Sequence, residues 1–174
     1  GIKQLVKLDE EWIPNIEGGA LYLRPFMIAT EQRLGVKVSD KYLFMIVSSP
    51  VGPYYAKPLN MKIETEYVRA AEGGTGYAKC GGNYGASFLP TQLARQQGFD
   101  QVLWTDAKEH KYLDEAGTMN VMFVIDGVLA TPPLSTSILD GVTRDSILTL
   151  APTMGIKAEQ RRITVEELET ALAE

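Results

Sequence analysis

The sequence is poor in the residues that carry the commonest disulfide and metal chemistry: 174 residues hold one cysteine and one histidine. A single cysteine excludes an intramolecular disulfide framework, and one histidine argues against a His-rich metal site. No Lys/Arg-rich run offsets the net charge of −5, so no nucleic-acid-binding surface is expected. The longest apolar runs, such as Leu43 to Val47 and Val121 to Ile125, are far too short to cross a bilayer. No secretory signal reads at the start, and a reducing, cytoplasmic setting is the expectation. Two phosphate-loop patterns also fail. Lys79 lies between Ala78 and Cys80, which breaks the Walker pattern on both sides. The dinucleotide fingerprint begins at Gly74 and Gly76 but meets Lys79 where its third glycine belongs.

What is present is a globular composition, 45% apolar and 22% charged, long enough for one domain or pieces of two. Its most informative stretch runs from Gly73 to Tyr84, with one lysine among five glycines. Such glycine density lets the main chain approach a ligand closely and fixes Lys79 by its backbone. A desolvated or charge-coupled lysine can lose its proton and attack a carbonyl. The plainer alternative is a surface turn with a solvated lysine.

Element signals follow the chain. Ala20 to Ala29 reads as a strand, with Pro25 marking an edge or bulge. Leu43 to Val47 reads as a buried strand. Ser48 to Asn60 holds three prolines and a glycine and reads as a linker. Lys62 to Val68 reads as a strand feeding the glycine loop. The segment from Tyr84 to Gln97 predicts a helix stopped by Gly98, provided that Pro90 falls in its first turn. Gln101 to Trp104 predicts a strand. Asp126-Gly127 predicts a hairpin between Val121–Ile125 and Val128–Ala130. Gly141 opens a helix through Leu150, and Thr164 to Glu167 fits a capping box for a helix reaching Glu174. This mixture indicates α+β organisation. A start at Gly1 without Met, and an end within a helix, read as a piece of a longer protein.

Other residues could carry chemistry. Glu115, just before an apolar run, needs a cationic or N–H partner to stay ionised, or else forms a surface acidic pair with Asp114. Gly141-Val142-Thr143 offers free N–H groups at a helix start, the makings of an anion site or simply a helix start. Tyr22 and Arg24 share a strand face by alternation, where Arg24 could bind a carboxylate or pair with a Glu. Tyr54 and Tyr55 lie in the linker segment, as ligand contacts or as packing. Cys80, without an evident base, reads as small filler.

The order of these segments is recognisable: Tyr22-Leu23-Arg24-Pro25, Ser49-Pro50-Val51-Gly52-Pro53-Tyr54, Gly73-Gly74-Thr75-Gly76 with Lys79, Gly82-Asn83-Tyr84, Gln101 to Trp104, Glu115 to Asn120, Ala130 to Leu134 and Gly141 to Arg144. The series resembles the branched-chain amino acid aminotransferases, pyridoxal phosphate enzymes of fold type IV. The resemblance covers about Leu21 to Leu150. It implies that residues 1–47 end a small domain, 48–60 connect, and 61–174 form most of a large cofactor-binding domain.

It further implies that Lys79 forms the Schiff base with pyridoxal 5′-phosphate and then shuttles a proton at the substrate Cα. By the same resemblance Glu115 pairs with the pyridine nitrogen, Tyr84 with the phenolic oxygen, Leu139 packs on the ring, and the amides of Val142 and Thr143 hold the phosphate. Tyr22, Arg24 and Tyr54 line the substrate pocket, with Thr118 near cofactor and substrate carboxylate. The implied reaction exchanges an amino group between leucine, isoleucine or valine and 2-oxoglutarate in a homodimer. The family's phosphate-binding arginine would precede Gly1, and a Gly-Thr loop would follow Glu174. Pro90 stands where the family has a helix-compatible alanine. D-amino acid aminotransferase, aminodeoxychorismate lyase and a catalytically incomplete fragment are the alternatives.

Overall fold

The structure is a computed structural model that describes residues 1–55 and 57–173. The chain divides into two compact units, Gly1–Pro58 and Leu59–Glu174.

The first unit opens with helix α1 (Ile2–Leu8) and is built on two long antiparallel strands, β1 (Ala20–Ala29) and β2 (Tyr42–Val51). Their register pairs Ala20 with Val51 and Ala29 with Tyr42. Within this unit the ribbon has two strands, and a ribbon that narrow cannot bury both of its faces. Leu43 to Val47 is accordingly not a buried strand: Phe44 is 61% exposed, and Leu43 and Val47 are also open. The strand continues through Ser48-Ser49-Pro50-Val51, the first part of the stretch read as linker.

The second unit holds two three-stranded sheets. In the first, β3 (Met61–Glu64) runs parallel to β4 (Gln101–Thr105), and β4 pairs antiparallel with β5 (Leu113–Ala116). Helix α2 (Gly81–Gln96) makes the crossover between the parallel strands. Strand β4 alternates its load. Val102 and Trp104 bury with Ala94 of α2, whereas Leu103 joins Leu113, Ala116, Ala130, Ile163 and Leu168 in a second cluster. The indole N–H of Trp104 donates to the Gly117 carbonyl at 2.8 Å, so the largest core side chain carries no orphaned donor.

Strand β3 stops earlier than expected, at Glu64, because the Glu64 carboxylate accepts the N–H groups of Glu66 and Tyr67 and turns the chain. Burial pushes this carboxyl up, but those N–H groups and Lys62 outweigh it and hold it below the usual range.

Helix α2 differs from expectation in both start and proline position. It begins at Gly81 and carries a buried Pro90 in its interior. Gly81-Gly82-Asn83 has poor helix propensity. Tertiary contacts override it: the Asn83 amide donates to the carbonyls of Thr75 and Ala78, both at 2.8 Å.

The second sheet joins β6 (Phe123–Ile125) to β7 (Val128–Thr131) in the expected hairpin. Asp126 at φ 50° and Gly127 at φ 74° supply the two positive φ values of a type I′ turn. Strand β8 (Ala158–Gln160), parallel to β7, has no counterpart in the sequence reading. Helix α3 (Val142–Leu150) runs as expected into a short 3₁₀ turn closed by Gly155. Helix α4 (Val165–Ala173) forms half of its capping box. Thr164 accepts the Glu167 N–H at 3.0 Å, while the Glu167 carboxylate turns to Arg161. Glu174 lies outside the described residues.

Candidate active site

Lys79 sits in the loop entering α2, and that loop is tied at several points. Tyr77 N–H donates to the Thr136 carbonyl, Ala78 N–H to that of Thr75, and Gly73 N–H to the Thr136 hydroxyl. Gly76 is buried against Ser137, where a Cβ would lie 2.5 Å from the carbonyl oxygen. Backbone placement of Lys79 therefore holds, but desolvation does not: the side chain is exposed. Its amine donates to the Tyr84 hydroxyl at 2.8 Å. Tyr84 lies in the first turn of α2, so the early helix start that the Asn83 bonds secure also brings phenol and amine together. Neighbouring Cys80, at the α2 N-cap, has its thiol held below the ordinary value by a hydrogen bond with Thr75.

Glu115 is not part of a surface acidic pair. It lies within β5 and is 2% exposed. Oε1 accepts the Leu139 N–H at 2.7 Å and the Asn120 amide at 3.3 Å. Arg69 Nε stands 3.1 Å from Oε2 without directing its N–H at it. Burial pushes the carboxyl up to about 7, against the downward pull of Arg69 and the Leu139 N–H. Alternation sends Asp114 to the opposite face of the strand. Its carboxyl is pushed up to about 6 by burial and by Asp106, which outweigh the Ser137 hydroxyl.

Arg69, Asn83, Tyr84, Glu115, Thr118 and Leu139 line one small cleft. The Lys79 amine is held at its edge through Tyr84. Val142 and Thr143 are exposed in the first turn of α3. They connect to the cleft through Gly141, which packs closely on the Asn120 side chain. A larger hollow of about 430 Å³ lies beyond the other face of β5, lined by Asp106, Tyr112, Asp114, Ser137 and Arg162. Neither Lys79 nor Tyr84 lines it, so volume alone does not locate the chemistry.

Tyr22, Arg24 and Tyr54 belong to the first unit. Arg24 pairs with Tyr22 rather than with a Glu, donating to its hydroxyl at 2.5 Å and stacking 5.1 Å from its ring centroid. Tyr54 is 81% exposed and meets Tyr55 edge-on, with centroids 4.7 Å apart.

Sequence reasoning missed Arg69, Asn83 and Asn120. Asn83 and Asn120 stood inside the recognised segments, so amides beside the lysine and glutamate were the available signal. Arg69 offered none, because its partners Glu115 and Ser137 are far along the chain.

The model of the Amino-transferase class IV family matches residues 2–173. Branched-chain-amino-acid aminotransferase 2 of Bacillus subtilis (strain 168) is 49% identical over 171 residues, covering 97% of this chain and 47% of that protein. Branched-chain-amino-acid transaminase 1 of the same organism is 51% identical over 176 residues, 99% and 49% of the two lengths. Among solved structures, a branched-chain aminotransferase from Thermoproteus uzoniensis with norvaline superposes at a TM-score of 0.78 and 28% identity, covering 87% of this chain and 51% of that one. A T.th. branched-chain amino acid aminotransferase with pyridoxamine 5′-phosphate gives 0.75 and 29% over 86% and 50%. The chain spans about half the length of the curated relatives it matches. An exposed amine fixed by a phenol, a buried carboxylate across the cleft, and a family match over nearly every residue agree: the chain belongs to the class IV aminotransferases.

Proposed function

We propose that this chain supplies the cofactor-holding part of a pyridoxal 5′-phosphate-dependent transaminase that exchanges amino groups between leucine, isoleucine or valine and 2-oxoglutarate. The observation that carries the reading is the Lys79 amine fixed by Tyr84 at the mouth of a cleft whose wall is the buried Glu115 carboxylate. The donor set fits the cofactor chemically. Lys79 is an amine for its aldehyde, Tyr84 a hydroxyl for its phenolic oxygen, Glu115 a carboxylate for its ring nitrogen, and Leu139 an apolar cover for its ring. The N-terminus of α3, at Val142 and Thr143, offers N–H groups suited to a phosphate. Names of relatives at about 50% identity support the substrate class.

When bound, the cofactor supplies an electrophilic aldehyde and an electron-accepting ring. The chain's own residues do the rest. Lys79 moves a proton at the substrate Cα, and Tyr84 orients its amine. Glu115 would hold a proton on the ring nitrogen of a bound cofactor, and as a carboxylate it would be favoured over its buried acid form by that pairing. Thr118 lies in the cleft for a substrate carboxylate. Tyr22, Arg24 and Tyr54 contribute the substrate pocket in this reading. The first unit, whose strand β2 reaches Val51, then ends a small domain, and the second unit holds the cofactor. A homodimer in the cytoplasm completes the proposal. The lone cysteine fits a reducing compartment, and among the described residues no helix is long and apolar enough to cross a membrane.

The same fold could serve a D-amino acid or lyase reaction, but Tyr22-Leu23-Arg24-Pro25 and Glu115 to Asn120 favour the branched-chain member. Glutamate formation from 2-oxoglutarate tests the choice. With pyridoxal phosphate present, L-leucine is expected to act as donor and D-alanine to fail. Glutamate formed from D-alanine but not from L-leucine would move the assignment to the alternative.

A further inference from the structure

The loop carrying Lys79, the strand carrying Glu115 and the segment leading to Leu139 meet at one side chain. Arg69 follows β3, and its side chain is 10% exposed. Nη2 donates to the Gly76 carbonyl at 2.9 Å and to the Ser137 carbonyl at 2.7 Å. Nε stands 3.1 Å from Glu115 Oε2. Gly76 lies three residues before Lys79, and Ser137 two before Leu139, whose N–H donates to the other oxygen of the same carboxylate. The planar guanidinium serves all three partners at once, which an ammonium on a flexible stem does not.

We infer that Arg69 is a positioning residue that acts through Glu115, supplying the charge that favours the anionic carboxylate while clamping the Lys79 loop to Ser137. The role rests on the transaminase reading, in which an anionic Glu115 faces the ring nitrogen. Burial opposes that charge. Around Glu115 stand the Leu139 N–H, the Asn120 amide, Asp114 beside it in β5, the Lys79 amine and Arg69. Asp114 works against ionisation, and Lys79 favours it less than Arg69 does. Removing Arg69 therefore removes the main cationic support while burial stays. It also leaves two buried carbonyls without their donor.

The test needs no cofactor. Carbon-13 NMR of the glutamate carboxyls, with Glu115 assigned by its loss in E115Q, gives the Glu115 titration midpoint. In R69Q that midpoint is expected to rise by about one pH unit or more, as loss of an adjacent guanidinium does to a carboxyl. In R69K it should fall between wild type and R69Q. An unchanged midpoint in a folded R69Q would overturn the inference. Should R69Q not fold, the wild-type Arg69 Nε–H resonance decides. It is expected to move with pH at the Glu115 midpoint and to stay flat in E115Q, whereas a flat wild-type resonance would refute the coupling. If the wild-type chain took up no pyridoxal phosphate, the transaminase reading would fail while the Arg69–Glu115 coupling was still measured.

Discussion

Gly76 shows how tightly single residues determine the site. A Cβ there would sit 2.5 Å from the Ser137 oxygen and 2.6 Å from the Ala70 Cβ, and neither neighbour is the free end of a flexible side chain. Gly76→Ala is expected to destabilise the fold by roughly 1–3 kcal/mol, the usual cost of overpacking. Urea denaturation measures this, and an unchanged midpoint would mean that the loop yields without strain. Glu115 and Asp114 set a pH dependence. Their ordinary values of 4.5 and 3.8 rise to about 7 and about 6, so the folded chain binds more protons than the unfolded one in that interval. Their contribution to stability is therefore full below about pH 4 and is lost as pH rises through 6 and 7. Asp106 has the opposite sign. Four backbone N–H groups outweigh burial and hold it at about 2, so its contribution disappears only as pH falls through that value. Thermal melts from pH 5 to 8 should show a declining Tm, and Glu115→Gln should flatten the slope. An equal slope in the variant would contradict the assignment. Lys79, Tyr84 and Glu115 were legible because each stands in a segment with its own pattern. Arg69 was not: a lone arginine says nothing about a carboxylate that only folding brings within 3.1 Å.

At the scale of elements, Thr164 and Gly127 make separate points. The Thr164 hydroxyl caps α4 at the Glu167 N–H. Thr164→Ala is expected to cost about 0.5–2 kcal/mol in denaturant melts, and no loss would show that the Arg161–Glu167 pairing alone secures the helix. Gly127 at φ 74° carries the hairpin between β6 and β7. Replacing it with alanine should cost about 1–2 kcal/mol through left-handed strain. That hairpin was readable from two residues, since Asp-Gly has one preferred use between apolar runs. Helix α2 was readable only in part. Pro90 and the early glycines argue against a helix locally, and the bonds from Asn83 to Thr75 and Ala78 that override them are tertiary. Strand β8 could not be read at all. Its Ala158-Glu159-Gln160 has no β-branched residue, and it becomes a strand because β7 offers an edge.

At the scale of the whole molecule the two units differ in what they bury. The second unit buries two apolar clusters around β4. The first displays Met27, Ile28, Phe44 and Val47 from its ribbon, which explains why apolar content alone misread Leu43 to Val47 as buried. Apolar content says that a residue prefers cover, and only the surrounding layers decide whether it gets any. A dimer is expected by light scattering at micromolar concentration, and a monomer would count against the proposed assembly.

Covalent trapping at Lys79 tests the central claim most directly. The chain is incubated with pyridoxal 5′-phosphate, reduced with borohydride, digested and mapped by mass spectrometry. One reduced adduct on Lys79, absent from Lys79→Ala, is the expected result. A folded chain that gives no adduct, or spreads adducts over its surface lysines, would contradict the assignment of this cleft as the cofactor site.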